Sequence, residues 1–243
     1  MNTKSFLDLV LGHEGYYCVW ANRHVPGRKD PDIKQKFYSS VGELLEAARD
    51  LDANGWNAFF ALGTYEEAGS RKADNVKWMK SFFLDLDCGP SKEFPTQREA
   101  LKELQAFCKQ HKLPRPTIVN SGGGLHVYWL LSEAVCRDDW WPAAERLKRL
   151  CADSGLAADP SVTSDAARVL RVPSTHNYKY DTPLAVKFFG LEAPSVVDFD
   201  DFAVLLGDAP IPAPQRYETS ATSAFRDALY ENQQGSFQRL LDR

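Results

Sequence analysis

The segment at residues 82–87, Phe-Phe-Leu-Asp-Leu-Asp, is an apolar run that contains two aspartates two residues apart. Side chains alternate between the faces of a β-strand, so a strand here places Asp85 and Asp87 on one face and Leu84 and Leu86 in the core. Two carboxylates this close raise each other's pKa, and a divalent cation converts that penalty into affinity. The segment therefore predicts a metal-binding strand, although a lone Asp-x-Asp is equally compatible with a structural strand end.

The composition sets the class of protein. The chain has 243 residues, 44% of them hydrophobic and 12% aromatic, which is enough for one large or two small domains with a core. Its five cysteines are widely spaced and form no Cys-x-x-Cys pair, so we expect no zinc and a reducing, cytoplasmic location. No apolar stretch approaches the roughly 20 residues that cross a bilayer, so we expect no membrane role. The net charge of −4 neither indicates nor excludes a polynucleotide partner.

Three consecutive glycines at residues 122–124 separate a predicted strand at 117–120 from another at 125–130. Glycines cost backbone entropy, which makes sense where the chain turns tightly or approaches a ligand closely. His126 lies on the second strand. A lone histidine on a strand is more often a hydrogen-bonded core residue, but beside a glycine turn and a metal-binding strand we favour a functional role.

The connection at residues 156–179 carries a concentrated set of charges. It contains two aspartates, then Arg168 and Arg171, and then a polar turn that ends at Lys179. Arginine offers a bidentate fork and lysine a point charge, so this arrangement suits a polyphosphate. Surface salt bridges would explain any one of these residues, but they explain the whole run poorly.

A second basic segment, residues 69–77, precedes the metal-binding strand. We predict a flexible hairpin there, with Arg71, Lys72 and Lys77 as candidate contacts for a nucleic-acid template or a phosphate. Most basic loops of this kind are only solvated, so the segment alone does not decide between the two interpretations.

Helical periodicity and caps predict the remaining elements. Ser40 and Glu43 form a capping box before a helix at 41–51. A helix beginning near residue 138 carries Trp141 on its inward face. The other predicted elements are helices at 5–11, 97–110 and 199–206 and strands at 16–20, 58–62 and 185–189.

Taken together, these motifs resemble the archaeo-eukaryotic primase (AEP) superfamily, and specifically the primase-polymerases of phages and mobile elements. That family carries an Asp-x-Asp strand, then a small-x-His strand, then a third acidic residue followed by an Arg-rich segment that ends in Asn-x-Lys. The resemblance extends from about residue 58 to residue 189, and Ser174 stands where the family often has glycine. The matching residues are Asp85-Leu86-Asp87, Gly124-Leu125-His126, Asp159 and residues 168–179.

The resemblance implies an α+β fold in which an α/β N-terminal part packs on an RRM-like antiparallel sheet, with the active site in the cleft between them. We expect this catalytic domain to span residues 1–207. Composition indicates a Pro-rich linker at 208–219 and a helical extension at 220–243, which we expect to begin a further domain.

The implied activity is that of a DNA primase and polymerase. Such an enzyme makes and extends primers on single-stranded DNA in phage or plasmid replication, within the bacterial host cytoplasm if the protein is phage-encoded. Its partners would be the template, the primer and nucleoside triphosphates (dNTP or NTP). A helicase domain would follow in a longer protein.

The resemblance also assigns roles to single residues. Two Mg²⁺ or Mn²⁺ ions would lie on Asp85, Asp87 and Asp159, with Asp165 as the alternative third ligand. Asp159 is preferred because Pro160 biases it towards an extended conformation, whereas Asp165 lies in a polar stretch typical of turns. His126 completes the catalytic set. The expected nucleotide contacts are Ser121, Gly123, Gly124, His126, Arg168, Arg171, Asn177 and Lys179.

Two other functions stay open at this point. A metal-dependent nuclease or nicking replication initiator would use carboxylates and a histidine, but it has no use for cations that bind a triphosphate. A non-catalytic RRM-like module would bind nucleic acid, but paired buried carboxylates make little sense there.

Overall fold

Two β-sheets and the helices that cover them share one apolar core in the computed structural model, which describes residues 1–189 and 194–207. The α+β class predicted from the sequence is therefore confirmed. The predicted linker at 208–219 and helical extension at 220–243 lie outside the described residues. Within the described ranges, no helix combines the length and apolarity of a membrane span.

The elements follow one another with short connections. In chain order they are α1 (Thr3–Val10), β1 (Tyr17–Arg23), β2 (Asp32–Tyr38), α2 (Val41–Ala53), β3 (Asn57–Ala61), β4 (Gly63–Tyr65), a 3₁₀ turn (Ala73–Asn75), β5 (Val76–Asp87), α3 (Gln97–Gln110), β6 (Thr117–Asn120), β7 (Gly124–Cys136), α4 (Arg137–Asp153), α5 (Pro160–Thr163), β8 (Val169–Arg171), β9 (His176–Asn177), β10 (Leu184–Ala185), β11 (Lys187–Phe188), β12 (Val196–Val197) and α6 (Phe199–Leu205).

The N-terminal sheet is antiparallel and has the strand order β2-β1-β3-β8. Its inner face packs on α1 and α2, where Phe6 and Phe60 meet edge to face at 6.1 Å. The predicted N-cap is present, because the Ser40 hydroxyl accepts a hydrogen bond from the Glu43 amide and begins α2 at the predicted residue. The Glu43 carboxylate reaches back to the Ser39 amide, one residue before the position that a capping box requires.

The central sheet has the order β11-β6-β7-β5-β4, and β12 adds a short parallel pairing to β7. The long strands β5 and β7 run antiparallel through its middle, with Asp85 opposite His126 and Asp87 opposite Gly124. Helices α3 and α4 pack against these strands. The sheet thus carries the Asp-x-Asp segment and the predicted histidine side by side.

Helix α4 packs Trp141 half-buried against the core as predicted, but it also buries a neighbour that the periodicity does not mark. Trp140, and not Trp141, is fully buried. The two tryptophans are neighbours in the chain. The indole of Trp140 donates a hydrogen bond to the Ser81 carbonyl at 3.0 Å and stacks on Phe83, and these contacts with β5 select it.

The two tryptophans provide a matched pair for a stability measurement. We expect Trp140→Ala to lower the free energy of unfolding by about 3–5 kcal/mol, since it empties a packed site. Trp141→Ala should cost about 1 kcal/mol, because its side chain is only half-buried. Urea unfolding followed by circular dichroism measures both, and equal losses in the two variants would contradict this account of the helix.

Candidate active site

A cavity of about 280 Å³ lies where β5 and β7 face β3 and β8. Its walls combine carboxylates, cations and polar groups that come from distant parts of the chain. The predicted site residues among them are Asp85, Asp87, Ser121, Gly123, His126, Arg168, Arg171, Asn177 and Lys179. The fold therefore brings together most of the residues that the three motifs indicated.

The two aspartates of β5 stand in different environments. Asp85 is largely buried, with 21% of its side chain exposed, whereas 57% of Asp87 is exposed. Burial, reinforced by the charge of Asp87, raises the pKa of Asp85 to about 7. Lys92 lies 2.6 Å from the Asp87 carboxylate and partly neutralises it. Asp85 is thus the carboxylate whose charge most needs a cation.

Asp159 lies beside the same strand. Its amide donates to the Asp85 carbonyl at 3.0 Å, and its charge contributes to the raised pKa of Asp85. Its backbone is extended, but its carboxylate caps α5 by accepting from the amide and the hydroxyl of Ser161. Asp165 instead closes a turn by accepting from the Ala167 amide.

Both candidate third ligands flank one cation. The guanidinium of Arg168 lies 3.8 Å from the Asp159 carboxylate and 3.9 Å from that of Asp165. These distances are ion pairs without close hydrogen bonds. Arg168 thus links the acidic and the basic sides of the site.

The oxygen atoms of the site are of the kind that binds a divalent cation. Among the described residues, no third ligand is already in position to complete the set. In the part of the chain that the structure describes, no three Asp, Glu, His or Cys side chains form a ready metal site. Asp85 and Asp87 nevertheless supply the oxygen donors that Mg²⁺ and Mn²⁺ prefer, and the buried charge of Asp85 favours a cation there. The Asp159 carboxylate is engaged with Ser161.

His126 faces Asp85 across the β5–β7 pairing. It is 5% exposed, its Nδ1 has no hydrogen-bond partner, and its Nε2 lies 3.9 Å from the Asp85 carboxylate, beyond hydrogen-bond distance. Burial, with the charges of Arg171 and Arg168, lowers its pKa to about 3. The imidazole is therefore neutral near pH 7 and presents one N–H donor.

Arg171 is held on two sides. Its Nη2 donates to the Asn177 side-chain oxygen at 2.7 Å, and its guanidinium lies 4.6 Å above the Phe59 ring. Asn177 in turn donates to the Ser121 carbonyl at 3.0 Å and accepts from the Lys179 amide at 3.1 Å. Burial lowers the pKa of Arg171 to about 10, so it stays charged at neutral pH.

The glycine turn is required by close packing. Gly122 has a φ of +86°, which favours glycine. A Cβ at Gly124 would collide with the Leu86 carbonyl, and one at Gly123 would collide with the Tyr180 hydroxyl. The backbone therefore approaches both the Asp-x-Asp strand and the segment after Lys179.

The basic segment at 69–77 connects β4 to β5, which pair antiparallel, so it forms the predicted hairpin. Lys77 lies in the second strand of this hairpin, β5, and pairs with Glu66 at 3.8 Å. Arg71 donates to the Gln35 side chain at 3.3 Å and to the Ala167 carbonyl, whereas Lys72 is exposed. None of the three lines the cavity.

Six residues that line the cavity are not among the predicted site residues: Phe59, Cys88, Lys92, Val169, Leu170 and Tyr180. Phe59 was assigned to a buried strand, although one of two adjacent phenylalanines must face away from the core, and this alternation could have identified it. Lys92 and Tyr180 lie in connections, where no periodic pattern marks them.

No protein-family model and no curated protein sequence matches the chain. Among solved structures, it is similar to the AEP domain of the cyanophage S-2L primase-polymerase, with a TM-score of 0.53 and 20% identity over 77% of this chain and 88% of that one. The chain has the AEP fold. Primase RepB' shares the AEP fold with it at a TM-score of 0.52 and 13% identity, over 98% of this chain and 69% of that one.

The pairing of the largely buried Asp85 with the charge of Asp87 leads to a prediction about stability. In EDTA near pH 8, Asp85→Asn should raise the free energy of unfolding by about 1 kcal/mol, because a buried carboxylate beside Asp87 costs energy without a cation. Adding Mn²⁺ should raise the melting temperature of the wild-type protein and leave that of the variant nearly unchanged. Thermal unfolding with and without Mn²⁺ measures both effects, and equal shifts in the two proteins would argue against metal binding at Asp85.

Proposed function

We propose that this chain is a template-dependent nucleotidyltransferase, a DNA primase and polymerase that makes and extends primers on single-stranded DNA. The observation that carries the proposal is that Asp85 and Asp87 share one cavity with Arg168, Arg171 and Lys179. Carboxylates that suit metal ions and cations that suit a triphosphate are the two halves of a phosphoryl-transfer site.

Asp85, Asp87 and, as the third ligand, Asp159 would hold two Mg²⁺ or Mn²⁺ ions. When bound, the ions would supply positive charge that favours loss of the proton from the primer 3′-hydroxyl and stabilises the leaving pyrophosphate. The burial of Asp85 strengthens its interaction with a cation, since charges interact more strongly away from water.

The cations on and beside β8 and β9 would bind the triphosphate of a dNTP or an NTP. Arg171 is already oriented by Asn177 and by the Phe59 ring, so it presents its guanidinium without reorganisation. Arg168 and Lys179 would add charge where negative charge develops in the transition state. The neutral imidazole of His126 would donate one hydrogen bond to a phosphate oxygen.

The two structural neighbours are consistent with this reaction class. One is described as a primase-polymerase and the other as a primase, and each shares the fold at low sequence identity. A nuclease would use the carboxylates and the histidine but would leave the three cations without a substrate group. The cation side of the cavity therefore favours nucleotide transfer.

A primer-synthesis assay tests the proposal. We expect the wild-type protein to incorporate labelled nucleotide on a single-stranded template with Mg²⁺ or Mn²⁺ and to release pyrophosphate. Asp87→Asn should reduce incorporation by about a hundredfold or more, since removal of a metal ligand weakens charge stabilisation in the transition state. Asp153→Asn, an exposed position at the end of α4, is the matched control. Cleavage of the template without pyrophosphate release would establish a nuclease instead.

The third metal ligand is tested by a matched pair. We expect Asp159→Asn to abolish primer extension or to require at least about tenfold more Mn²⁺, because its backbone lies next to Asp85. Asp165→Asn should stay near the wild-type activity. A Mn²⁺ titration of primer extension measures both variants, and the reverse order of effects would transfer the role to Asp165.

A further inference from the structure

The outer face of the N-terminal sheet presents a row of side chains that the proposed chemistry does not use in full. Strand registers place Gln35 of β2, Trp20 of β1, Phe59 of β3 and Arg171 of β8 side by side. We call these four residues the aromatic row. The alternating residues of the central strands β1 and β3 are buried on the face that packs against α1 and α2.

The two aromatic rings of the row are only half-buried. Their centroids are 5.2 Å apart with an edge-to-face arrangement, and the Arg171 guanidinium lies over the Phe59 ring. Buried strands usually turn such large rings into the core, and here Phe60 fills that place. Trp20 and Phe59 thus offer apolar surface to the space outside the sheet.

The row is continuous with the candidate active site. Phe59 and Arg171 belong both to the row and to the wall of the cavity. At the other end, Gln35 accepts a hydrogen bond from Arg71 at 3.3 Å. The row therefore has a cation at each end and contains no acidic side chain, which gives it the charge that a polyanion requires.

Its length exceeds one nucleotide. Adjacent strands lie about 4.8 Å apart, so the four positions of the row span roughly 15 Å from Arg171 to Gln35. A nucleotide whose phosphates are held at Arg171 therefore covers only part of the row. Bases that are unpaired expose their ring faces for stacking on aromatic side chains, and arginines attract the adjoining phosphates. A single strand of nucleic acid satisfies all of these features.

We propose that the aromatic row binds the unpaired template strand as it enters the active site, with Trp20 as the principal stacking residue. The role of this strand as a template rests on the proposed function. The binding of a single strand to this face does not depend on it. Arg71 then acts as a positioning residue that holds Gln35 at the outer end of the row.

Binding of fluorescently labelled oligothymidylate, followed by anisotropy in EDTA without nucleotide, tests the site apart from catalysis. Trp20→Ala should weaken binding about tenfold, and Trp20→Tyr should stay within about twofold, because a tyrosine ring still stacks. Trp141→Ala, which removes a half-buried tryptophan from α4, should bind like the wild-type protein. Equal affinity in Trp20→Ala and the wild type, with both folded, would overturn the proposal.

A crosslinking experiment on the wild-type protein keeps the test independent of variant folding. A primer-template with 5-iododeoxyuridine in the template overhang should crosslink to the peptide that contains Trp20 or to the one that contains Phe59. Crosslinks that come only from the primer strand would overturn the proposal. The absence of crosslinks from both strands would also overturn it and would indicate that the aromatic row binds a protein partner instead. If the crosslink forms but no nucleotide is incorporated, the proposed function fails and the binding face stands.

Discussion

The antiparallel pairing of β5 with β7 is the contact on which the site depends. Its register sets Asp85 opposite His126 and Asp87 opposite Gly124, and the absent side chain of Gly124 lets the strands meet at their ends. A slip of one residue would send each of these side chains to the opposite face. The core residues between them hold this register, so apolar packing in the sheet fixes the positions of the charges.

The N-terminal sheet and the residues beside it supply the cations that the central sheet lacks at this site. The carboxylates belong to the central sheet, whereas Arg168 and Arg171 come from residues that lie next to β3 of the N-terminal sheet. Arg168 lies near the two aspartates that precede it, and both arginines moderate the cost of burying Asp85. The opposite charges of the two sheets therefore contribute to holding the cleft together as well as to its chemistry.

Motifs with strong alternation or caps were predictable, and elements defined by distant contacts were not. The Asp-x-Asp strand, the helix after Ser40 and the strand that carries His126 follow from local pattern. Strand β2 exposes the four residues of its middle, so its hydrophobic period is weak, and its pairing with β1 defines it. The choice of Trp140 over its neighbour depends on the Ser81 carbonyl, and the Asp87–Lys92 ion pair depends on how a turn folds. These contacts depend on the folded chain, so the local sequence pattern does not predict them.

The double support of Arg171 has a consequence for how the cleft recognises a ligand. A free arginine loses about 2 kcal/mol of rotamer freedom when it is fixed, and here Asn177 and the Phe59 ring fix it during folding. The ligand therefore binds a side chain that is already fixed, so the affinity for the ligand depends on the stability of the fold. Loosening of the segment that carries Asn177, at a distance from any phosphate, would weaken binding without removing a single contact to the ligand. Ligand binding and folding of this segment are therefore thermodynamically coupled.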